Sequence, residues 1–441
     1  MKISVAAIGL AGELEAGFEQ AGALCRKTTA ALAAAGVPVV DVGAVVYDTA
    51  TKRAAAAALA DCPFDVLLVC VATWSEDHHL LDLLAEYPVP VILHAFPAID
   101  TGSLCGVHQI CSVLTDIGYD RYHYVYGDAG SRQTITAIQE ILQLAALDKS
   151  LKSSLIGSVG GRVKGMSEII YDEFALKKQL GIRVVPIDES ELQEARPPVG
   201  SKAVKDAWDA MREKFQSIQS GDQDNLDAVS YYLALKKLVA QYDLQGITVN
   251  CYPRYMGKIC LGYSLLAEEG IVCGCEGDVN NTVMMKILYE LSGSCVHNTD
   301  LLYPDPVGNT ILFSHCGSGG ISLAARREEL VLAPVRLAGS GACCLFTAKQ
   351  GPVMLANLVG HGGTLRMSVM TGKAVSCGME FPGNPLKVRF AQPVLELCRQ
   401  IAEKGTGHHW MAAYGDKTDL LAQCCQQARI GFNRIDRPDF P

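Results

Sequence analysis

IVCGCEGDVNNTVMMKILYELSGSCVHNTD, residues 271–300, reads as strand, turn, helix and strand in close succession. The apolar run at 271–273 predicts a short buried strand. Glu276 stands at its carboxyl end. Asp278 is the expected N-cap of a helix in which Val279, Val283, Ile287 and Leu291 recur at helical spacing, and Gly293 stops it. Asp300 follows the next strand-like run. Two carboxylates at the ends of neighbouring strands suit a divalent metal ion or an acid/base pair. The plainer alternative, that an acid merely caps the helix N-terminus, suits Asp278 well and Glu276 less well.

The rest of the chain extends this alternation in both directions. Residues 3–8, 37–42, 66–71, 89–93 and 122–126 are β-rich runs separated by alanine-rich amphipathic stretches at 21–35, 54–60 and 131–146. This rhythm predicts a doubly wound parallel sheet over residues 1–150, with its crevice beyond the strand ends. A second α/β domain is expected over 151–304. Its strands fall at 155–159, 246–249 and 271–273, and helical patterns at 167–180 and 204–218. From 305 to 441 the helical periodicity fades. Short β-like runs at 310–314, 329–332, 343–347 and 386–390 lie between glycines, the mark of an antiparallel sheet or small barrel. Helices return at 393–403 and 417–428. The expected class is α/β: two doubly wound domains and a β-rich, barrel-like C-terminal domain.

Composition narrows the function. The chain has 441 residues, 49% hydrophobic and 19% charged, with a net charge of −9. That balance argues against a nucleic-acid partner. There is no convincing membrane segment and no signal-peptide pattern, so a cytoplasmic protein is expected. Its 17 cysteines are odd in number, lie in apolar runs and show no C-x-x-C spacing, which predicts reduced, buried thiols. The sequon Asn280-Asn281-Thr282 is then a chance match.

Further groups could join the two acids. His408 and His409 are adjacent, and on a strand adjacent side chains face opposite ways, so one of the two can enter a given site. His315 ends a β-like run and opens a glycine-rich turn, as a ligand or a substrate donor. The loop from Gly157 to Gly165 carries Arg162 and Lys164 and follows a strand. It can cradle an anion, although it matches neither nucleotide-binding glycine pattern, and a tight strand-to-helix turn explains it equally well.

In order and spacing these residues resemble the L-fucose/L-arabinose isomerase superfamily. Glu276, followed by Gly-Asp and a helix, resembles the family's first metal-binding acid. Asp300 resembles the second, in the form of the fucose branch. The Gly407-His408-His409 segment resembles the one that supplies the metal-binding histidine, and His409, directly before Trp410, fits it best. His315 falls where the arabinose branch has another histidine.

The resemblance implies a metal-dependent aldose–ketose isomerase acting on a free pentose, 6-deoxyhexose or modified hexose through an enediol. Mn2+, with Mg2+ or Co2+ as alternatives, would be held by Glu276, Asp300 and His409, and the two acids would double as the proton carriers. His315, His408, Trp410 and Arg162 would contact the sugar. It also implies a homotrimer or homohexamer in which Trp74, His78, His79 or His108 of the first domain reaches a neighbour's substrate. The alternatives are an isomerase of an anionic (sulfonated or phosphorylated) sugar, and a non-catalytic sugar-binding protein.

Overall fold

The computed structural model describes residues 3–437. The chain divides into two compact units, Met1–Lys149 and Ser150–Pro441. In the first, β1 (Val5–Leu10), β2 (Val39–Val46), β3 (Val66–Val71), β4 (Val91–Ala95) and β5 (Tyr122–Tyr126) form one parallel sheet in the order β2-β1-β3-β4-β5. Every residue of β1, β3 and β4 is buried. Helices cover both faces of such a sheet, so its strands read as unbroken apolar runs. The order reverses between β1 and β3, and the loops that follow these two strands touch: a Cβ on Gly12 would lie 2.7 Å from the Trp74 carbonyl oxygen.

The second unit opens with β6 (Leu155–Val159), β7 (Arg183–Ile187), β8 (Ser217–Ile218), β9 (Gly246–Val249) and β10 (Val272–Gly274). Four of these make a parallel sheet in the order β10-β9-β6-β7. Sequence reading passed over β7 because Pro186 interrupts its apolar run, and β7 is an edge strand, where proline is tolerated. The helix expected over 167–180 is instead a 3-10 turn at Ser167–Ile169, one α turn at Glu173–Ala175 and a π turn at Leu176–Leu180. Contacts made by Glu168 and Ile170, described below, override the local helical pattern there. The helix expected over 204–218 runs Lys202–Met211, and its last two residues become β8, paired with a later strand.

The remaining strands are β11 (His297–Asp305), β12 (Thr310–Ser314), β13 (Val331–Val335), β14 (Ser340–Leu345), β15 (Gly351–His361), β16 (Thr364–Val375), β17 (Leu386–Arg389), β18 (His409–Tyr414) and β19 (Gly431–Arg434). Six of them close on themselves as β15-β18-β11-β12-β17-β16-β15, a barrel, with β19 added beside β16, while β14 and β13 form a separate sheet with β8. The β15–β16 hairpin turns on Gly362-Gly363, both at positive φ, as a two-residue turn requires. Its strands escaped the sequence reading because long stretches are buried on both faces and do not alternate.

Two expectations change here. The boundary placed after residue 304 falls inside β11, and everything from Ser150 onward clusters as one unit. Asp300 does not end a strand of the parallel sheet. It sits within β11, a barrel strand, paired with His409 on one side and Ser314 on the other. All 17 cysteines are free and only Cys105 is exposed. Asn280 of the sequon is buried, its amide donating to the Ile170 carbonyl at 3.0 Å. Among the described residues no helix is long and apolar enough to cross a membrane.

Candidate active site

The parallel sheet and the barrel of the second unit meet at one cluster of acids and histidines. From the sheet side, β10 ends at Gly274 and the chain turns sharply before the helix Val279–Ser292. Glu276 takes φ +64°, a region a non-glycine residue adopts only when its surroundings hold it there. Gly277 follows at φ +73°, and a Cβ on it would lie 2.2 Å from the Gly161 carbonyl oxygen. Asp278 caps the helix by accepting from the Asn281 amide at 2.9 Å. The turn is therefore pinned between its own cap and the 160–165 loop. Gly277→Ala is expected to destabilise the protein by about 1–3 kcal/mol through strain alone; a fall in urea midpoint of the variant measures it.

From the barrel side, β11 and β18 place Asp300 opposite His409, and β12 delivers His315 one residue past Ser314. His409 is the hub. Its Nδ1 lies 2.8 Å from Asp278 Oδ2 and its Nε2 lies 3.0 Å from Glu276 Oε2 and 3.7 Å from Asp300 Oδ1. His315 Nε2 is 3.9 Å from Asp300 Oδ1. Glu276, His315 and His409 have ligand-type atoms within 4.8 Å of one another, as do Asp300, His408 and His409.

Electrostatics follow from this crowding. Burial disfavours a charged His409, but its hydrogen bonds to Asp278 and Glu276 outweigh burial and lift its pKa well above the ordinary value. Burial also opposes charge on His315, yet the Asp300 carboxylate raises it to about 9. Glu276 is pushed up by burial and pulled down further by His409 and His315, so it stays ionised at neutral pH. Three carboxylates converge on a largely buried space and draw positive charge inward. Asp300 Oδ1 is buried with no hydrogen-bond partner, and a buried acceptor left unpaired is costly. Two hard carboxylate oxygens, one of them the orphaned Asp300 Oδ1, and one imidazole nitrogen are a donor set that fits a divalent cation. Cys275, next to Glu276, is different: burial pushes its thiol up to about 12, which keeps it a neutral thiol.

The chain is similar over most of its length to three curated proteins, each named sulfoquinovose isomerase. The one from Priestia aryabhattai is 24% identical over 374 residues, covering 81% of this chain and 83% of its own. That from Alkalicoccus urumqiensis is 23% identical over 82% of this chain and 84% of its own. That from Clostridium sp. (strain MSTE9) is 23% identical over 84% and 86%. No protein-family profile matches the chain.

This chain is an isomerase. The non-catalytic alternative gives way to an enzyme, an intramolecular oxidoreductase.

The sequence-predicted residues do not all meet. Glu276, Asp300, His409 and His315 lie together in this isomerase. His408 lies beside them, its ring centroid 4.1 Å from that of His409, but its Nδ1 is 2.8 Å from Glu168 Oε1 and its side chain is half-exposed. Arg162 is exposed on the loop that abuts Gly277. Trp410 requires a correction as a sugar contact. It points to the other face of β18 and is fully buried in an apolar cluster with Ile311, Phe313 and Leu386, because alternation along a strand sends neighbours to opposite sides. Trp74, His78, His79 and His108 belong to the first unit. There His78 and His79 each approach Glu76, at 3.5 and 3.4 Å, and Trp74 Nε1 donates to Gln109 Oε1 at 2.7 Å.

Two participants went unread. Asp278 is more than a cap, since its second oxygen orients His409. Glu168 holds His408. Neither role has a local signature, because the partners lie more than a hundred residues away in the chain.

Proposed function

We propose that the protein interconverts a sulfonated aldohexose of the sulfoquinovose type and its 2-ketose, using a divalent ion held by Glu276, Asp300 and His409. The observation that carries this is the convergence of His409 Nε2 on both carboxylates while Asp278 occupies Nδ1. With its Nδ1–H donated to a carboxylate, an imidazole keeps Nε2 for a ligand, the usual arrangement behind a metal-binding histidine. Likeness to enzymes named for a sulfonated sugar favours the anionic-substrate alternative over a neutral pentose or 6-deoxyhexose. Placement in the L-fucose/L-arabinose isomerase superfamily, Mn2+ as the ion and a trimeric or hexameric assembly in the cytoplasm remain parts of this reading, supported by the resemblance of the Glu276, Asp300 and His409 motifs.

When bound, the ion supplies Lewis-acid stabilisation of the negative charge that develops on O1 and O2. The chain supplies the proton transfers. Conversion of an aldose to a ketose moves one proton from C2 to C1 and one from the C2 hydroxyl to O1. Glu276, ionised and in a largely buried turn, is placed to take the carbon-bound proton and return it. Asp300, whose Oδ1 has no competing donor, serves the hydroxyl side. His315, its Nε2 3.9 Å from Asp300 Oδ1, is positioned to donate a hydrogen bond to a sugar oxygen there.

The test is solvent-deuterium incorporation at C1 of the ketose product and at C2 of the re-formed aldose, screened over sulfonated and uncharged hexoses with and without added Mn2+. Exchange into the sulfonated sugar is expected, and a chelator should remove at least about nine-tenths of it, with recovery on adding Mn2+. Full activity in the chelator-treated protein, with no metal found by elemental analysis, contradicts the proposal.

A further inference from the structure

The segment from Gly160 to Ile170 crosses the candidate site and is tied to it at both ends. Asn250 Nδ2 donates to the carbonyls of Gly160 and Arg162 at 3.2 and 3.1 Å. The Val163 amide donates to the Glu276 carbonyl at 3.4 Å. Gly277 packs directly on the Gly161 carbonyl, and a Cβ there would also lie 2.9 Å from Arg162 Cα. Farther along, Glu168 holds His408 at 2.8 Å, and Asn280 holds the Ile170 carbonyl at 3.0 Å. Arg162 and Lys164 thus ride on a fixed strap within one side-chain length of the Glu276–Gly277 turn.

These two cations are not used within the protein. The Arg162 guanidinium donates only to backbone carbonyls, Met166 at 3.1 Å and Val163 at 3.5 Å, and makes no ion pair among the described residues. Lys164 is exposed and has neither a hydrogen bond nor an ion pair among the described residues. The contrast with nearby Arg254, paired to Glu189 at 2.6 Å, is direct. Glu276, Asp278 and Asp300 line the reacting end of the site with carboxylates, so the charged end of an anionic substrate needs cations on another side. An arginine with its planar fork and a lysine with its point charge suit the three oxygens of a sulfonate.

We infer that Arg162 and Lys164 form the subsite for the sulfonate of the sugar, making the strap the element that selects an anionic hexose. This rests on the isomerase reading above. The test compares kcat/KM for sulfoquinovose and for the same 6-deoxyhexose without its sulfonate, in wild type, Arg162→Gln, Lys164→Gln and the double variant.

Each single change is expected to lower the sulfonated-to-uncharged specificity ratio about tenfold and the double change about a hundredfold, mainly through KM for the sulfonated sugar. Added salt should weaken wild type more than the double variant. Equal losses on both sugars overturn the subsite and make the strap a structural element; Lys164→Gln guards against a folding artefact, since Lys164 has no internal partner. A wild type that handles both sugars equally overturns the sulfonated-substrate reading itself, and the subsite with it. That outcome is distinguishable because it appears before any substitution is made.

Discussion

Glu276→Gln is expected to lower kcat about a thousandfold or more, and Asp300→Asn to do nearly the same. In the proposed scheme each change removes a hard anionic oxygen from the cation and a proton carrier from the reaction, and general-base catalysis alone accounts for about 10²–10⁴ in rate. The substitutions are isosteric, so the turn around Gly277 and the β11–β18 pairing should survive. Glu276 is the more sensitive of the two. Its side chain is 14% exposed against 31% for Asp300, so less water can enter to replace a lost ligand. Steady-state kinetics at saturating Mn2+, beside thermal unfolding of each variant, separates lost chemistry from lost structure. Wild-type turnover in either variant would remove both the metal assignment and the acid/base pair.

The second large effect belongs to Asp278, a residue that touches no substrate in this scheme. Asp278→Asn keeps an N-cap, because asparagine caps as well as aspartate. It removes the charged acceptor that fixes His409 Nδ1 at 2.8 Å. Metal affinity is therefore expected to fall about 10–100-fold, as when carboxylates behind ligating histidines are lost, while stability changes little. Asp278→Ala should add the lost cap, costing about 1 kcal/mol more. Isothermal titration with Mn2+ reads the first effect and chemical unfolding the second. An Asn variant that binds metal normally but unfolds early would make Asp278 a cap and nothing else.

Much of this arrangement was legible before any coordinates. The β10 run, the capped helix behind it, the five strands of the first sheet and the C-terminal turn to β structure all follow from periodicity and turn chemistry. These are local properties of residues a few positions apart. Where the local pattern conflicts with long-range packing it misleads. Residues 167–180 have helical spacing but are broken into turns because Glu168 and Ile170 are committed to His408 and Asn280. Trp410 looks like an aromatic sugar platform but belongs to the barrel core.

The sequence by itself determined the chemistry on offer: Glu276, Asp278, Asp300, His315 and His409 are the residue types that can hold a cation and move protons, and Glu276 stands where a strand hands over to a helix. Only the tertiary structure decided that they meet. Asp300 and His409 are neighbours because β11 and β18 pair antiparallel, a contact between residues more than a hundred positions apart. Asp278 holds the ring of His409, the first residue of β18, whereas His408 lies just before the strand with its ring against Glu168. Cross-strand register and the closure of the barrel depend on packing summed over the whole second unit, and no short window of sequence contains that sum.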